Sequence, residues 1–345
     1  MVFATYMKPH TRIGILFLSI TLFSVYSLFS LFREGLTAFV SSSFQEEREG
    51  ILFVGDVMLA RSVEERVHEV GEVRFFDNVH SLHAAAHYLV GNFEASIPDT
   101  HSRTPDFTFH FSVDPALLPM LRAAGFTHMT LANNHANDFG ADARLHTAAL
   151  LTSNTISPFG DPDGAGTTSV TYIHERGRTI ALIGLQTVTK EPVLEDISAL
   201  MKEVRAKSDI QIAVVHWGTE YSLIHTPAQE AFAHFLVKEG IDTIIGHHPH
   251  VVEDVGSIDG VPVFYSLGNY VFDQYFDHTV ETGLAVHISV TDTALTFTLT
   301  PVGTEHSVPY VMNHDDAHVY LRDLALRSDE RFRTGVSRGT FSVGY

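Results

Sequence analysis

Three features of the amino-acid sequence predict an α/β sandwich built from mixed sheets. Short β-branched or apolar runs recur and end repeatedly in Asp, Glu, Asn or His. Stretches with helix-starting residues lie between them, and the later strands follow one another as hairpins. Alternating β and α elements predict parallel pairing, whereas hairpins require antiparallel neighbours, so a purely doubly wound sheet is not expected.

In chain order, Ile13 to Phe32 is an uncharged, mostly apolar stretch preceded by Lys8 and Arg12. About 20 such residues match the hydrocarbon core of a bilayer, and the preceding positive charge predicts a cytoplasmic N-terminus with the remainder exported. A cleavable signal peptide shares the basic start, but its apolar core is shorter, roughly 7–15 residues, and Thr37-Ala38 offers no clean small-x-small cleavage site. The expectation is a retained signal anchor over 13–32, after a cytoplasmic segment 1–12. A polar linker, 33–49, follows.

The first strand runs Ile51-Leu52-Phe53-Val54 into Gly55-Asp56. Ser62 to Val70 has helical spacing, with Ser62 as N-cap and Glu64 and Glu65 in the first turn. His87 to Val90 leads into Gly91-Asn92-Phe93-Glu94. Asp114-Pro115 opens a helix that runs to Gly125, Asp as cap and Pro at the first position. Met129 to Leu131 leads into Ala132-Asn133-Asn134-His135. Val170–Ile173 and Thr179–Ile183 flank Arg176-Gly177-Arg178 as a hairpin. Ile210 to Val215 ends at His216-Trp217-Gly218. Thr226-Pro227-Ala228-Gln229 is a capping box whose helix stops at Gly240. Thr243 to Ile245 ends at Gly246-His247-His248-Pro249-His250, and Val263 to Tyr265 at Ser266-Leu267-Gly268-Asn269. Leu284–Val290 and Leu295–Leu299 are strands joined through Thr291-Asp292-Thr293. The sequence thus divides into one catalytic-type domain, 50–304, and a less apolar tail, 305–345, with an amphipathic helix at Ala317 to Arg327.

Composition narrows the function. Lys+Arg number 22 against 41 Asp+Glu, a formal charge of −19. Nucleic-acid binding needs a basic footprint, so no nucleic-acid partner is expected. Cysteine is absent, which removes disulfides, thiolate metal sites and a cysteine nucleophile. There is also no Gly-x-x-x-x-Gly-Lys-Ser/Thr; Gly160 to Gly166 has no lysine and reads as a loop, so no ATP site of that type is expected.

Taken singly, Asp56 reads as a turn aspartate, Glu94 as a loop residue and His216 as a hydrogen-bonded core histidine. Together, buried strands that release such groups at one end build one site along a sheet edge. His248-Pro249-His250 is the strongest piece, because proline restricts the backbone between two imidazoles. Oxygen and imidazole donors without thiolate suit a borderline divalent ion such as Mn, Zn or Fe.

The flanking words Gly-Asp-Val-Met-Leu-Ala-Arg (55–61), Asn-Phe-Glu (92–94), Leu-Ala-Asn-Asn-His-Ala-Asn-Asp-Phe-Gly (131–140), His-Trp-Gly-Thr-Glu-Tyr (216–221), Gly-His-His-Pro-His (246–250) and Tyr-Ser-Leu-Gly-Asn-Tyr-Val-Phe-Asp (265–273) resemble the bacterial capsule-synthesis family CapA/PgsA. The order of these words also resembles the calcineurin-like metallophosphoesterase plan. The match spans roughly residues 50–275. The resemblance implies a four-layer αββα sandwich of mixed sheets behind one membrane helix. It also implies a single-pass protein of the cell membrane with its domain outside the cytoplasm, working with other membrane capsule-synthesis components on an anionic polymer such as poly-γ-glutamate.

Carried over by position, the resemblance assigns Asp56 and His250 to a first metal, Glu94 to the bridging place, and Asn134, His216 and His248 to a second metal. It makes His135 a proton donor oriented by Asp138. Glu220 would steady His216 or His248, and Arg61, Asn92 and Asn269 would line or support the cleft. One departure stands out: the plan wants histidine two residues after the first aspartate, and this chain has Met58. One firmly held ion is therefore expected, with a second only if substrate or water completes it. The same resemblance allows two roles, polymer handling without turnover or hydrolysis of a phosphoester or polymer amide.

Overall fold

In strand β1 (Ile51–Val57) every residue is buried, and alternate side chains enter different cores. Ile51 and Phe53 pack in one apolar cluster, Leu52 and Val54 in another, as the two-residue period of a strand requires. A strand buried on both faces must lie inside a layered structure. The computed structural model describes residues 48–345. The expected membrane segment 13–32 and nearly all of the linker lie outside the described residues. Among those described, no helix is long and apolar enough to cross a membrane.

Among the described residues the first sheet has nine strands. Its main path runs β14 (Val308–Val311), β13 (Ala294–Glu305), β12 (Thr282–Val290), β1, β2 (Tyr88–Phe93), β3 (His128–Thr130), β4 (Ser157–Phe159). β11 (Asn269–Val271) also pairs with β1, and β15 (Thr340–Gly344) with β13. β1 to β4 are mutually parallel, whereas β12 to β14 are antiparallel. The second sheet runs β5 (Val170–Glu175), β6 (Arg178–Gln186), β7 (Ile210–His216), β8 (Thr243–His247), β10 (Val261–Phe264), β9 (Val255–Ile258). β6, β7, β8 and β10 are parallel there. Mixed sheets are thus observed, and the predicted hairpin at Arg176-Gly177 is the antiparallel pair β5–β6.

The two sheets face each other across a core in which Ile51, Phe53 and Val90 of the first meet Leu182, Ile212, Val214 and Ile245 of the second. Outside the first sheet, Val63 and Val67 of α1 (Ser62–Val70), Leu118 and Leu121 of α3 (Leu118–Ala123) and Leu151 of α4 (Gly140–Ser153) share a core with Leu52 and Val54; α2 (His80–Ala85) packs beside them through Leu82. Outside the second sheet, Ile197, Met201 and Val204 of α5 (Leu194–Arg205) and Ala233 and Leu236 of α6 (Pro227–Lys238) cover Ala213 and Val215. Helix, sheet, sheet, helix is therefore the order of packing.

Local details correct several expectations. Ser62 is not the N-cap of α1: Arg61 holds that place at φ 56° with no side-chain cap bond, and Ser62 Oγ instead donates to Asp273 Oδ2 at 2.9 Å. The helix expected from Asp114 to Gly125 is a single turn, Pro115–Leu117, followed by α3. Pro119 lacks an N–H and fits only a first turn, so the α-helix restarts there. Asp114 does cap, accepting from the Ala116 N–H at 2.9 Å. The Thr226 capping box forms in both directions. The boundary placed after residue 304 falls inside β13, and the segment beyond it supplies β14, α7 (His314–Arg327), α8 (Glu330–Arg338) and β15. Leu321, Leu324, Phe332 and Val336 from these helices enter the core between the sheets, so apolar burial ties this segment to the fold.

Candidate metal centre

The parallel strands of both sheets end at the same place, and their last residues meet there. Asp56 lies near the end of β1, Asn92 near that of β2 with Glu94 just beyond, His216 closes β7 and His247 closes β8. Asn133, Asn134 and His135 follow β3. Gly55 permits the crossing: a Cβ there would lie 2.0 Å from the Gly268 carbonyl oxygen. The Asp56 N–H donates to that oxygen at 3.0 Å.

Asp56 is wholly buried. Its Oδ1 accepts from Asn92 Nδ2 at 2.9 Å and lies 3.0 Å from His247 Nδ1. Its Oδ2 is 3.4 Å from His250 Nδ1 and accepts from the His248 backbone N–H at 3.4 Å. Glu94, also wholly buried, places Oε1 3.7 Å from His250 Nε2 and 3.9 Å from His135 Nε2. Ligand atoms of Asp56, Glu94 and His216 lie within 4.8 Å of one another, as do those of Glu220, His248 and His250. His216 Nε2 is 2.7 Å from Asn134 Oδ1, and the His216 and His248 rings are 4.8 Å apart. Asn269 Oδ1 lies 3.0 Å from His250 Nδ1.

All six residues assigned to metal from the sequence thus gather at one sheet edge. Of the two histidines expected beside Glu220, His248 groups with it, together with His250, and His216 does not. Arg61 stands back from the carboxylates. It pairs with Asp273, donates to the Thr108 carbonyl at 3.2 Å and lies over Phe111 at 4.5 Å, which leaves it bracing a neighbouring aromatic ring. That ring stacks on His135 at 4.0 Å. His135 Nδ1 is 3.0 Å from Asp138 Oδ2, an arrangement that puts the proton on Nδ1 toward the carboxylate and turns Nε2 toward Glu94.

Two contributors escaped sequence reasoning. Asn133 donates to Asn92 Oδ1 at 3.0 Å and to the Phe93 carbonyl at 2.9 Å, which fixes the Asn92 amide with its NH₂ toward the carboxylates. His247 touches Asp56 directly. Its position at the head of Gly246-His247-His248-Pro249-His250 was the available signal, since it ends the strand. Met58 has its side chain in the helix-side core, and its Sδ accepts from the Ala60 N–H at 3.0 Å. His248 and His250 both have positive φ, 99° and 59°, a strained backbone that holds the two imidazoles around Pro249.

Protonation states in the cluster oppose one another. Burial works against the Asp56 charge, yet hydrogen bonds from His247 and His250 outweigh it and hold its pKa well below the usual carboxylate range. Burial and the neighbouring Asp56 charge push Glu94 well above that range. Burial keeps His216 neutral well below its ordinary value and lowers His248 to about 4. Burial also disfavours charge on His250, but Glu94 and Asp56 overcome it and raise its pKa to about 9.

This set fits a divalent cation. The Asn92 NH₂ has two hydrogens but three acceptors within reach: Asp56 Oδ1, Glu94 Oε2 and His216 Nδ1. Glu94 Oε1 and His248 Nδ1 are buried with no hydrogen-bond partner among the described residues. Buried acceptors in such excess are unfavourable unless a positive charge satisfies them, and neutral imidazole with carboxylate oxygen is the donor chemistry of zinc, manganese and iron.

The family model described as bacterial capsule synthesis protein PGA_cap matches residues 50–274. "PGA biosynthesis protein CapA" of Bacillus subtilis is 28% identical over 316 residues, covering 85% of this chain and 82% of its own length. "Capsule biosynthesis protein CapA" of Bacillus anthracis is 31% identical over 281 residues, covering 73% of this chain and 66% of its own. Among solved structures, a phosphatase from Mycoplasma pneumoniae is similar with a TM-score of 0.45 and 14% identity, over 86% of this chain and 93% of that one.

Proposed function

From the premise that this chain belongs to the bacterial capsule synthesis protein family, we propose that it assists synthesis or export of a poly-γ-glutamate-type polymer by holding the polymer's carboxylates at a divalent-metal cleft. The observation that carries this reading is the gathering of Asp56, Glu94, Asn134, His216, His248 and His250 at one edge of two sheets, with acceptors left over. When bound, a divalent ion supplies a concentrated positive charge that attracts carboxylate and polarises an oxygen beside it. Asp56, Glu94 and His216 would hold one ion, so that His216 sits with the first set and not the second as expected from the sequence, and Glu220, His248 and His250 would border another position, with Asn134 beside His216. In this reading residues 13–32 anchor the chain, the domain works outside the cytoplasm, and other membrane components of capsule synthesis supply the energy-requiring steps.

A second reading, hydrolysis of a phosphoester or polymer amide, is favoured by one specific arrangement. Asp138 orients His135 at 3.0 Å through Nδ1, so that the imidazolium form would present its Nε2–H beside Glu94 and, on giving that proton to a departing oxygen or nitrogen, would return to the neutral ring. A scaffold needs no such dyad. The two readings separate on the full chain loaded with Mn²⁺ or Zn²⁺ and assayed on an aryl phosphate and on poly-γ-glutamate. Polymer handling predicts tight polymer binding, lost on chelation, without turnover. Hydrolysis predicts turnover that His135→Asn lowers by about 100-fold or more while the metal content stays unchanged. Absence of both binding and turnover in the metal-loaded chain removes both.

A further inference from the structure

Another set of ligand-type side chains shares no residue with that centre. Glu64 in the first turn of α1, His101 in the loop between β2 and α3, and Asp114 at the end of that loop each offer one ligand atom, all within 4.8 Å of one another. Glu64 is only 8% exposed. Its Oε1 lies 3.3 Å from His101 Nε2, and its Oε2 is buried with no hydrogen-bond partner among the described residues. The nearby arginines do not take it: Arg66 pairs with Glu69, and Arg103 with Glu65 and Asp106. A buried carboxylate oxygen without a partner is unfavourable and asks for a cation.

The imidazole is set for the same purpose. His101 Nδ1 is 2.9 Å from Ser112 Oγ, which fixes the ring and leaves Nε2 toward Glu64, the way an outer partner commonly orients a ligating histidine. The 3.3 Å between Nε2 and Oε1 is long for a charged hydrogen bond. It matches the edge of roughly 3.4 Å between ligands in a zinc tetrahedron with bonds near 2.1 Å. Asp114 spends one oxygen on the Ala116 N–H and has the other to give.

We propose that Glu64, His101 and Asp114 bind one divalent cation of the zinc or manganese type, which pins the loop of residues 95–114 to α1. The loop matters because its far end carries Phe111, which stacks on His135 and donates its N–H to Asp138 Oδ2 at 2.7 Å. Ser96, at its near end, donates to the His135 and Ala136 carbonyls, each at 2.8 Å. The ion thereby steadies the platform that holds His135.

The test uses the full chain stripped with chelator, saturated with Zn²⁺ at pH 7 and desalted, with bound metal counted by mass spectrometry. His101→Ala and Asp114→Asn are each expected to lose one equivalent relative to the parent. Asparagine keeps a capping oxygen, so Asp114→Asn is expected to keep the parent's circular dichroism melt in chelator and carries the count if His101→Ala, which leaves Glu64 Oε1 unpaired, melts earlier. A second readout is chymotryptic cleavage at Phe107 and Phe109, which are 96% and 77% exposed. Zn²⁺ should slow that cleavage at least tenfold in the parent and in His216→Ala, and not in the two variants. A parental metal count in both variants, or cleavage indifferent to zinc in the parent, overturns the proposal. So does loss of protection in His216→Ala, which would assign the effect to the first centre.

Discussion

Residue by residue, the centre is defined by which groups carry protons before an ion enters. Glu94 and Asp56 raise the pKa of His250 to about 9, so the buried Glu94–His250 pair holds a proton there. His216 and His248 are already neutral. A cation must therefore displace the proton held between His250 and Glu94, whereas His216 and His248 release none. At pH 7 the expected yield is about one proton per ion, and affinity should climb with pH until His250 titrates at about 9. Binding of Mn²⁺ or Zn²⁺ in weakly buffered solution, followed by pH-stat or by calorimetry in buffers of different ionisation enthalpy, reads this directly. Binding without proton release contradicts the assignment of His250 as a ligand. Sequence indicates the residue types at this scale but not their pairing. Asp56 and His247 are 191 positions apart, and only the end-on meeting of two sheets brings them within 3.0 Å. Asn133 was hidden for another reason: beside Asn134 and His135 it reads as one of two turn asparagines, and which amide faces Asn92 depends on the backbone after β3.

At the level of elements, the strands were readable because burial on both faces leaves long apolar runs, and the caps because Asp114-Pro115 and Thr226-Pro227-Ala228-Gln229 state their own hydrogen bonds. Less readable were α4 and α5 as distinct layers and the segment after residue 304. β13 continues through Glu305 and has β14 and β15 as neighbours, pairings set by long-range register that local propensity does not encode. The element that most directly controls the centre is the end of β1. Gly55 passes so near the Gly268 carbonyl that any side chain would force β1 and β11 apart. Gly55→Ala is therefore expected to cost at least about 2 kcal/mol of stability and to move Asp56 away from His250. Urea unfolding of the chelator-treated chain checks the first part and metal content the second. A variant with the parent's unfolding midpoint and a full metal complement would show that the strand ends have room to spare.

The whole molecule poses an electrostatic problem for the proposed ligand. At a formal charge of −19 the chain repels a polycarboxylate at long range, and the proposed function assigns the attraction to a local cation in the cleft. Long-range repulsion is screened over a Debye length of about 10 Å at 0.1 M salt, while a short-range contact with a partly buried ion is screened much less. Adding salt should then speed association of poly-γ-glutamate instead of weakening it, the opposite of the salt response of a basic protein on a polyanion. Biosensor measurements on the immobilised metal-loaded chain, between about 10 and 150 mM NaCl, are expected to show an association rate that rises severalfold. Dissociation should change little over that range, and chelator should abolish binding at every salt concentration. Affinity that falls steeply as salt rises, or binding that survives chelation, would place the polymer on a basic surface patch and take the cleft out of the proposed function.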